Sequence, residues 1–584
     1  MPNQKPMRKI GHGQTRKNKK EPGLKNLGVL LPKFATTRLR IVSRAYLLRV
    51  SSKSWQARWC VFLELGLCLG SHMRILEHEK NAIKSSTKAE KRTRSMQETN
   101  RTKDRYGLPI TTSSTAAANY LVEGLDLAFE QNFAPERKFQ QAVEADEGFA
   151  LAYVGLAYSH MVGARPVDAR KFVQLAKSLA SGATRRENQQ IEIIDLWVNG
   201  KGSESLALIR QHLAEFPRDM LVVRVAQRLY ILGCSSVGAG VKNYPQELFA
   251  LMKSVAAEYA DDWAFQGQYA FAHHENGLLD DALEMAERSL DQRPTNAVAS
   301  HSVAHVYFER GDASGGSDFL ADWLPGFDDR APYHVHLSWH LALFELAMGH
   351  YQRALEVYDS GIRPSVVAKS AISLTDSASL MWRLQIYGAA APPSLMAELS
   401  TQAGPAAEQP GPAFRDSHAA LAFAVASDDP SMSRMIDGLQ NAASNGDKLV
   451  EEVTLPLVQG ISAFVHQDYA ETVRLMEPLF SLDARYDQLS RVGGSHAQRE
   501  VFEDTLTEAY LRSGQSDKAE IMIGQRLRRR ESPRDLFWLA RAQDAEGNQG
   551  AAISTVRQAQ SSWIDADSGS EETLALSNLA EKIG

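Results

Sequence analysis

WAFQGQYAFAHHENGLLDDALEMAERSLDQRP, residues 263–294, decides the fold. Its first half places a small residue, Ala270, at the eighth position and Gly277 at the fifteenth. Its second half places Ala282 at position 20 and Pro294 at position 32. This is the spacing of a tetratricopeptide helix pair, a repeat of about 34 residues. Each choice has a cause: small residues mark where two helices touch closely, and glycine tolerates the left-handed turn between them. The pattern recurs from Ala297, with Ala304, Gly311 and Gly316, and again from Val335, with Ala342, Gly349 and Ala354. A short insertion around APYH (331–334) separates the second and third copies.

Working outward, the match loosens but persists. Ala157, Ala169 and Ala176 fit an early repeat, and Gly200 with Pro217 fit another. Gly514 and Ala519, then Ala540, Gly547, Ala552 and Ala559, fit two late ones. The stretch PPSLMAELSTQAGPAAEQP around 392–412 reads as a loop or short helix between arrays. The expectation is an all-α, tetratricopeptide-type superhelix (solenoid) over residues 104–584, because such pairs bury their apolar faces only by stacking.

Residues 1–103 read differently. The first 95 hold 22 Lys+Arg against 5 Asp+Glu, although the whole chain has a net charge of −5. This basic head lacks a sustained period and is expected to be disordered. It is a nucleic-acid-binding or membrane-surface tail, a dispensable tail, or sequence upstream of a natural start at Met96. The acidic body disfavours nucleic acid as its partner, since phosphate neutralisation dominates such affinity. The longest apolar run, Trp59–Gly70, is too short for a membrane span. Three cysteines fit a reducing compartment, and a cytoplasmic location is expected.

The three best repeats concentrate histidines. A helix advances about 100° per residue, so positions 2, 5, 9, 12 and 13 of each first helix share one stripe. That stripe carries His274 and Glu275; His301, His305 and Glu309; and His336 and Trp339, with His340 at its edge. His301/His305 and His336/His340 are i, i+4 pairs, each on one face. In a tetratricopeptide array the stripe lines the concave groove. Three readings stay open: imidazoles that only pack, a divalent metal on His301, His305, His340 and Glu309, or a metal-free pocket working by acid and base.

Other segments then identify a resemblance. DRYGLPITTSSTAAANY (104–120), TRRENQQIEIIDLWVNG (184–200), HSVAHVYFERGD (301–312) and YHVHLSWHLALFELAMGHYQRALEVYD (333–359) resemble the tetratricopeptide repeat protein 38 family. TDSASLMWRLQIYG (375–388), FRDSHAALAF (414–423) and GGSHAQRE (493–500) complete the set. The resemblance implies polar landmarks at His301, His305, His340, Asp376, Arg383, His418, Ser495, Gln498 and Arg499. It implies the fold but no reaction. The chain departs from the family pattern at Phe308-Glu309-Arg310 and at His336, which leaves His340 as the better ligand. GGSHAQRE itself reads either as an anion site built on Arg499 or as a helix cap built on Ser495.

The functional expectation is a scaffold that binds a small molecule or peptide in a His/Glu-lined groove. The alternatives are an enzyme, a hydrolase or lyase that uses the same histidines, and a protein–protein adaptor that dimerises through its terminal repeats. Catalysis requires the superhelix to curl until Asp376, Arg383 and His418 face the histidines.

Overall fold

The computed structural model describes residues 103–235, 238–389, 391–480 and 488–584. The basic head and the Met96 start therefore lie outside the described residues. The described chain is helical throughout, and its helices run in antiparallel pairs. In order these are α1 (Thr115–Phe129), α2 (Pro135–Ala145), α3 (Ala150–Val162), α4 (Pro166–Leu179), α5 (Arg185–Val198), α6 (Gly202–Glu215), α7 (Met220–Ile231) and α8 (Tyr244–Val255). The central repeats are α9 (Trp263–Glu275), α10 (Leu279–Gln292), α11 (Ala297–Arg310), α12 (Ala313–Trp323), α13 (Pro332–Ala347) and α14 (Tyr351–Val357). Then come α15 (Arg363–Val367), α16 (Leu374–Ile386), α17 (Pro393–Glu408), α18 (Ala413–Ala426), α19 (Asp429–Ser444), α20 (Leu455–Val465) and α21 (Tyr469–Met476). The chain closes with α22 (His496–Arg512), α23 (Ser516–Arg529), α24 (Pro533–Ala545), α25 (Gln549–Ser562) and α26 (Glu571–Ile583). It is a tetratricopeptide-type solenoid.

The repeat register explains the packing. Ala270, Ala282, Ala304, Ala342 and Ala354 are all fully buried, as close helix contact requires. Gly277, Gly311 and Gly349 take φ of 76°, 71° and 80°, the left-handed turn that the fifteenth position demands. At Gly311 there is a second reason: a Cβ would come within 2.8 Å of the Glu531 carbonyl, from a helix pair far along the chain. Phe344 fills the space over Gly316; burying such a ring contributes about 1.5–3 kcal/mol.

Two boundaries differ from expectation. α13 begins at Pro332, three residues before the register start at Val335, because Pro332 sits at its N-terminus, where a missing N–H costs nothing. The 392–412 stretch, expected as a loop or short helix, forms the 16-residue helix α17, with Pro393 in its first turn and Pro405 inside it. Leu395, Leu399, Ala403 and Ala406 are buried along one face, so the helical period was present beneath a Gly/Pro-rich composition.

Both ends of the array fold back on the middle. Glu130, after α1, is fully buried; it takes Arg293 at 2.9 Å and Thr295 at 2.7 Å. From the other side, the turn before α22 reaches α7 and α8. The Gly494 N–H donates to the Ile231 carbonyl at 2.9 Å, and Tyr244 Oη lies 3.0 Å from the Gly494 carbonyl. The last helices meet the end of α13, where Trp563 Nε1 and Arg534 Nη2 donate to the Ala347 and Leu346 carbonyls. The central histidine helices are thus enclosed.

Candidate functional site

The first helices of three consecutive repeats, α9, α11 and α13, bring five imidazoles together. His274 comes from α9, His301 and His305 from α11, and His336 and His340 from α13. The i, i+4 spacing stacks each pair on one face, and repeat stacking sets the faces side by side. His305 Nε2 lies 3.0 Å from His301 Nε2, and His336 Nε2 lies 3.0 Å from the same atom. The His340 ring sits 4.7 Å from His305, 5.0 Å from His301 and 4.9 Å from His336 between centroids. His274 stacks on His305 at 4.5 Å. Phe271 and Tyr333 close the rim against His301.

The nest is buried. His301 is 3% exposed, and His305 and His340 are fully buried. The histidine stripe is therefore covered by neighbouring helices; His336, at 14%, is the most exposed of the five. Burial, reinforced by neighbouring imidazoles, holds His301 and His340 well below the usual histidine pKa. Burial takes His305 down to about 3 despite the pull of Glu309. These imidazoles are neutral at physiological pH, the state in which histidine binds a metal.

Asp376 on α16 fixes the proton pattern. Its Oδ2 accepts from His336 Nδ1 at 2.9 Å. When Nδ1 donates there, Nε2 of His336 faces His301 Nε2 at 3.0 Å. The Nδ1 atoms of His301 and His305 and both ring nitrogens of His340 have no hydrogen-bond partner. One ligand nitrogen from each of His301, His305 and His340 lies within 4.8 Å of the others, and the same holds for His274, Glu275 and His305. Groups of this spacing can hold a metal ion, and a carboxylate–histidine pair such as Asp376–His336 is a common support of a metal ligand.

The other sequence candidates divide. Trp339 does not face a groove: it is fully buried and stacks on His336 at 5.4 Å, walling the nest. Glu275 accepts from Tyr244 Oη at 2.7 Å and stays at the edge. Glu309 does not join the three-histidine group. One turn beyond His305, it turns away and pairs with His496 Nδ1 at 3.3 Å. Arg383 is committed to Asp504, Ser379 and the Ala497 carbonyl, though its charge still acts on His340. His418 is buried between Phe414 and Phe502, its Nδ1 donating to the Phe414 carbonyl; burial lowers its pKa to about 4. Ser495 and Gln498 form a capping box at the start of α22, and Arg499 donates to the Gly493 and Gly494 carbonyls. That turn is a helix cap, as the second reading of GGSHAQRE had it.

The stripe includes His336, which the resemblance ranks below His340 as a ligand; it links His301 to Asp376. One further residue, His496, is not a sequence candidate. No local signal marks it, because its partners, Glu309, Glu503 and Arg529, come from three helices.

No family model matches the sequence. Among solved structures the chain is similar to human IFIT1 as a dimer with PPP-AAAA, at 12% identity over 80% of this chain and 99% of that one, TM-score 0.34. It is similar to the APC/C hetero-tetramer Cut9–Hcn1 at 10% identity over 81% and 96%, TM-score 0.29. It is also similar to the P58(IPK) TPR domain at 12% identity over 68% and 98%, TM-score 0.18. The repeat assignment rests on the chain's own register.

Proposed function

We propose that the protein is a metal-dependent enzyme, a hydrolase or lyase, built on a tetratricopeptide-type scaffold and acting on a small molecule in the histidine chamber. The observation that carries this is the grouping of His301, His305 and His340, whose ligand atoms all lie within 4.8 Å of one another, with His336 3.0 Å from His301 and Asp376 behind His336. Imidazole nitrogens around an ion at bond lengths of about 2.0–2.1 Å stand about 3–3.4 Å apart, and the His301–His305 pair at 3.0 Å has that spacing. His301, His305, His336 and His340 would hold the metal, and Asp376 would orient it through His336. When bound, the metal would supply Lewis acidity and an acidified water. Docking of a partner protein, common for such scaffolds, falls to the outer faces.

The same distances favour one competitor. Nitrogen pairs at 3.0 Å are also hydrogen-bond lengths, so a metal-free chain Asp376–His336–His301–His305 would relay protons as a general acid–base device. Metal content separates the two. The full-length chain, purified without a histidine tag, should carry close to one or two equivalents of zinc, iron or manganese by elemental analysis. His301→Ala/His305→Ala should carry none. A folded wild type with no metal, and no affinity for added metal, ends the metal reading and leaves the relay.

A further inference from the structure

Beside the histidine chamber, α7 presents a charge that the fold does not neutralise. Its sequence, MLVVRVAQRLYI, is apolar except for Arg224, Gln227 and Arg228. Arg224 is 1% exposed. Its Nη1 donates to the side-chain oxygens of Gln227 and, at 2.9 Å, of Gln268 on α9, both neutral amides. Its Nε and Nη2 have no partner. Arg228 lies one turn on and is half-buried, with its Nε buried and unpartnered. The titratable groups acting on Arg228 are Arg224, Tyr158 and Tyr333; none is a carboxylate. Among the described residues, neither arginine enters an ion pair.

Buried charges in proteins are paired, because an unpaired one costs several kcal/mol. This chain obeys that rule elsewhere: Arg186, Arg526 and Arg534 each meet a buried carboxylate. The exception at α7 is therefore informative. The neighbouring orphan atoms share one polarity. Gln268 Nε2 and Tyr158 Oη are buried and unpartnered, and with the guanidinium nitrogens they offer donors in excess of acceptors. Tyr333 connects this group to the nest, with its ring 5.5 Å from His301 and 5.6 Å from His336.

We propose that Arg224 and Arg228, with Gln268 and Tyr158, form a binding site for the anionic group, a carboxylate or phosphate, of the small molecule on which the histidine chamber acts. The inference rests on the proposed function for its place beside the metal, but the anion site itself stands on the arginines alone. Two guanidiniums one helical turn apart grip an anion in a fork, and the anion supplies the charge that the fold lacks. The opposite end of the ligand would then lie toward Tyr333 and His336.

The test is isothermal titration of the full-length chain, metal-stripped and metal-loaded, with inorganic phosphate and with succinate in chloride-matched buffer. Saturable binding of at least one probe is expected, and the probe that binds names the anion class. Gln268→Glu provides the decisive variant, because it sets a carboxylate against Arg224. It should weaken binding more than 10-fold while melting at or above the wild-type temperature. Arg224→Met/Arg228→Met should bind neither probe. The proposal is overturned if neither probe saturates, or if Gln268→Glu binds like the wild type. Anion binding by a chain that takes up no metal sinks the metal reading and keeps this one; a metal-loaded chain indifferent to both anions does the reverse.

Discussion

Helix α11 carries two buried polar clusters one turn apart, and they solve burial in opposite ways. His305 belongs to the nest, where imidazoles gather with little charge among them. Glu309 belongs to a network with His496, Glu500, Glu503, Arg526, Arg529 and Arg530, where charges are numerous and matched. Burial and Arg529 push the His496 imidazolium down, but Glu309 and Glu503 outweigh them, and its pKa stands above the ordinary value. In the nest nothing outweighs burial. The contrast shows that depth alone does not make a histidine neutral; what faces it decides. The charged network holds its helices together by ion pairs, whereas the nest, under the proposed function, gains its charge from a cation.

The largest way to break this comparison is pH, applied to metal-stripped protein. His305, at about 3, and His418, at about 4, have folded pKa values below the unfolded value of about 6.5. The unfolded chain binds more protons below pH 6.5, so stability falls as pH drops through that window. At pH 5 each of the two costs about 2 kcal/mol, and His301 and His340 act in the same direction. His496 works the other way. Its raised pKa adds stability that is full below the unfolded value and lost as pH rises through the folded one. Urea unfolding from pH 8 to 5 should therefore show a steep acid-side loss, reduced when zinc is present. A flat profile would mean that the nest is protonated or wet.

Next in size is the network. Arg526 Nη1 meets Asp504 at 2.6 Å, and its Nη2 meets Asp535 at 3.1 Å; all three residues are buried. Arg526→Met strands those carboxylates and should cost about 3–5 kcal/mol in urea titration. Metal content should not change, because no nest ligand is touched. Loss of metal in a folded Arg526→Met chain would show that the two clusters are one unit.

Asp376→Asn sharpens the nest itself. The amide keeps the shape but no longer imposes the Nδ1–H tautomer on His336. Metal affinity should fall about 10–100-fold, with the melting temperature of the metal-free chain nearly unchanged. An unchanged affinity would place His336 outside the coordination set and leave His340 as the third ligand.

The sequence made some of this legible and hid the rest for a physical reason. Gly277, Gly311 and Gly349 announced the turns because only a left-handed residue fits there, and that is a local demand. His301 and His305 announced a shared face because helical period is local too. Tyr244 meeting Gly494, or Glu130 meeting Arg293, is set by the accumulated curvature of many repeats, which no window of sequence contains. So the closure of the chamber, the capture of Glu309 by His496 and the isolation of Arg224 were invisible. α17 was hidden for a smaller reason: its prolines sit at the helix start and near its end, and composition outweighed the period of its leucines.

The smallest effect tests the boundary between site and scaffold. Ser495 accepts from the Gln498 N–H, and the Gln498 side chain accepts from the Ser495 N–H, a reciprocal cap on α22. The same helix start carries His496 into the charged network and Arg499 onto the Gly493 and Gly494 carbonyls. Ser495→Ala removes one capping bond and should cost about 1 kcal/mol. If the turn is scaffold, neither metal content nor phosphate binding should respond, because Arg499 is already spent on the chain's own carbonyls. If phosphate affinity falls with Ser495→Ala while Gln268→Glu leaves it intact, the anion sits at the α22 turn. The division between a ligand-poised nest and a self-satisfied scaffold would then have to be redrawn there.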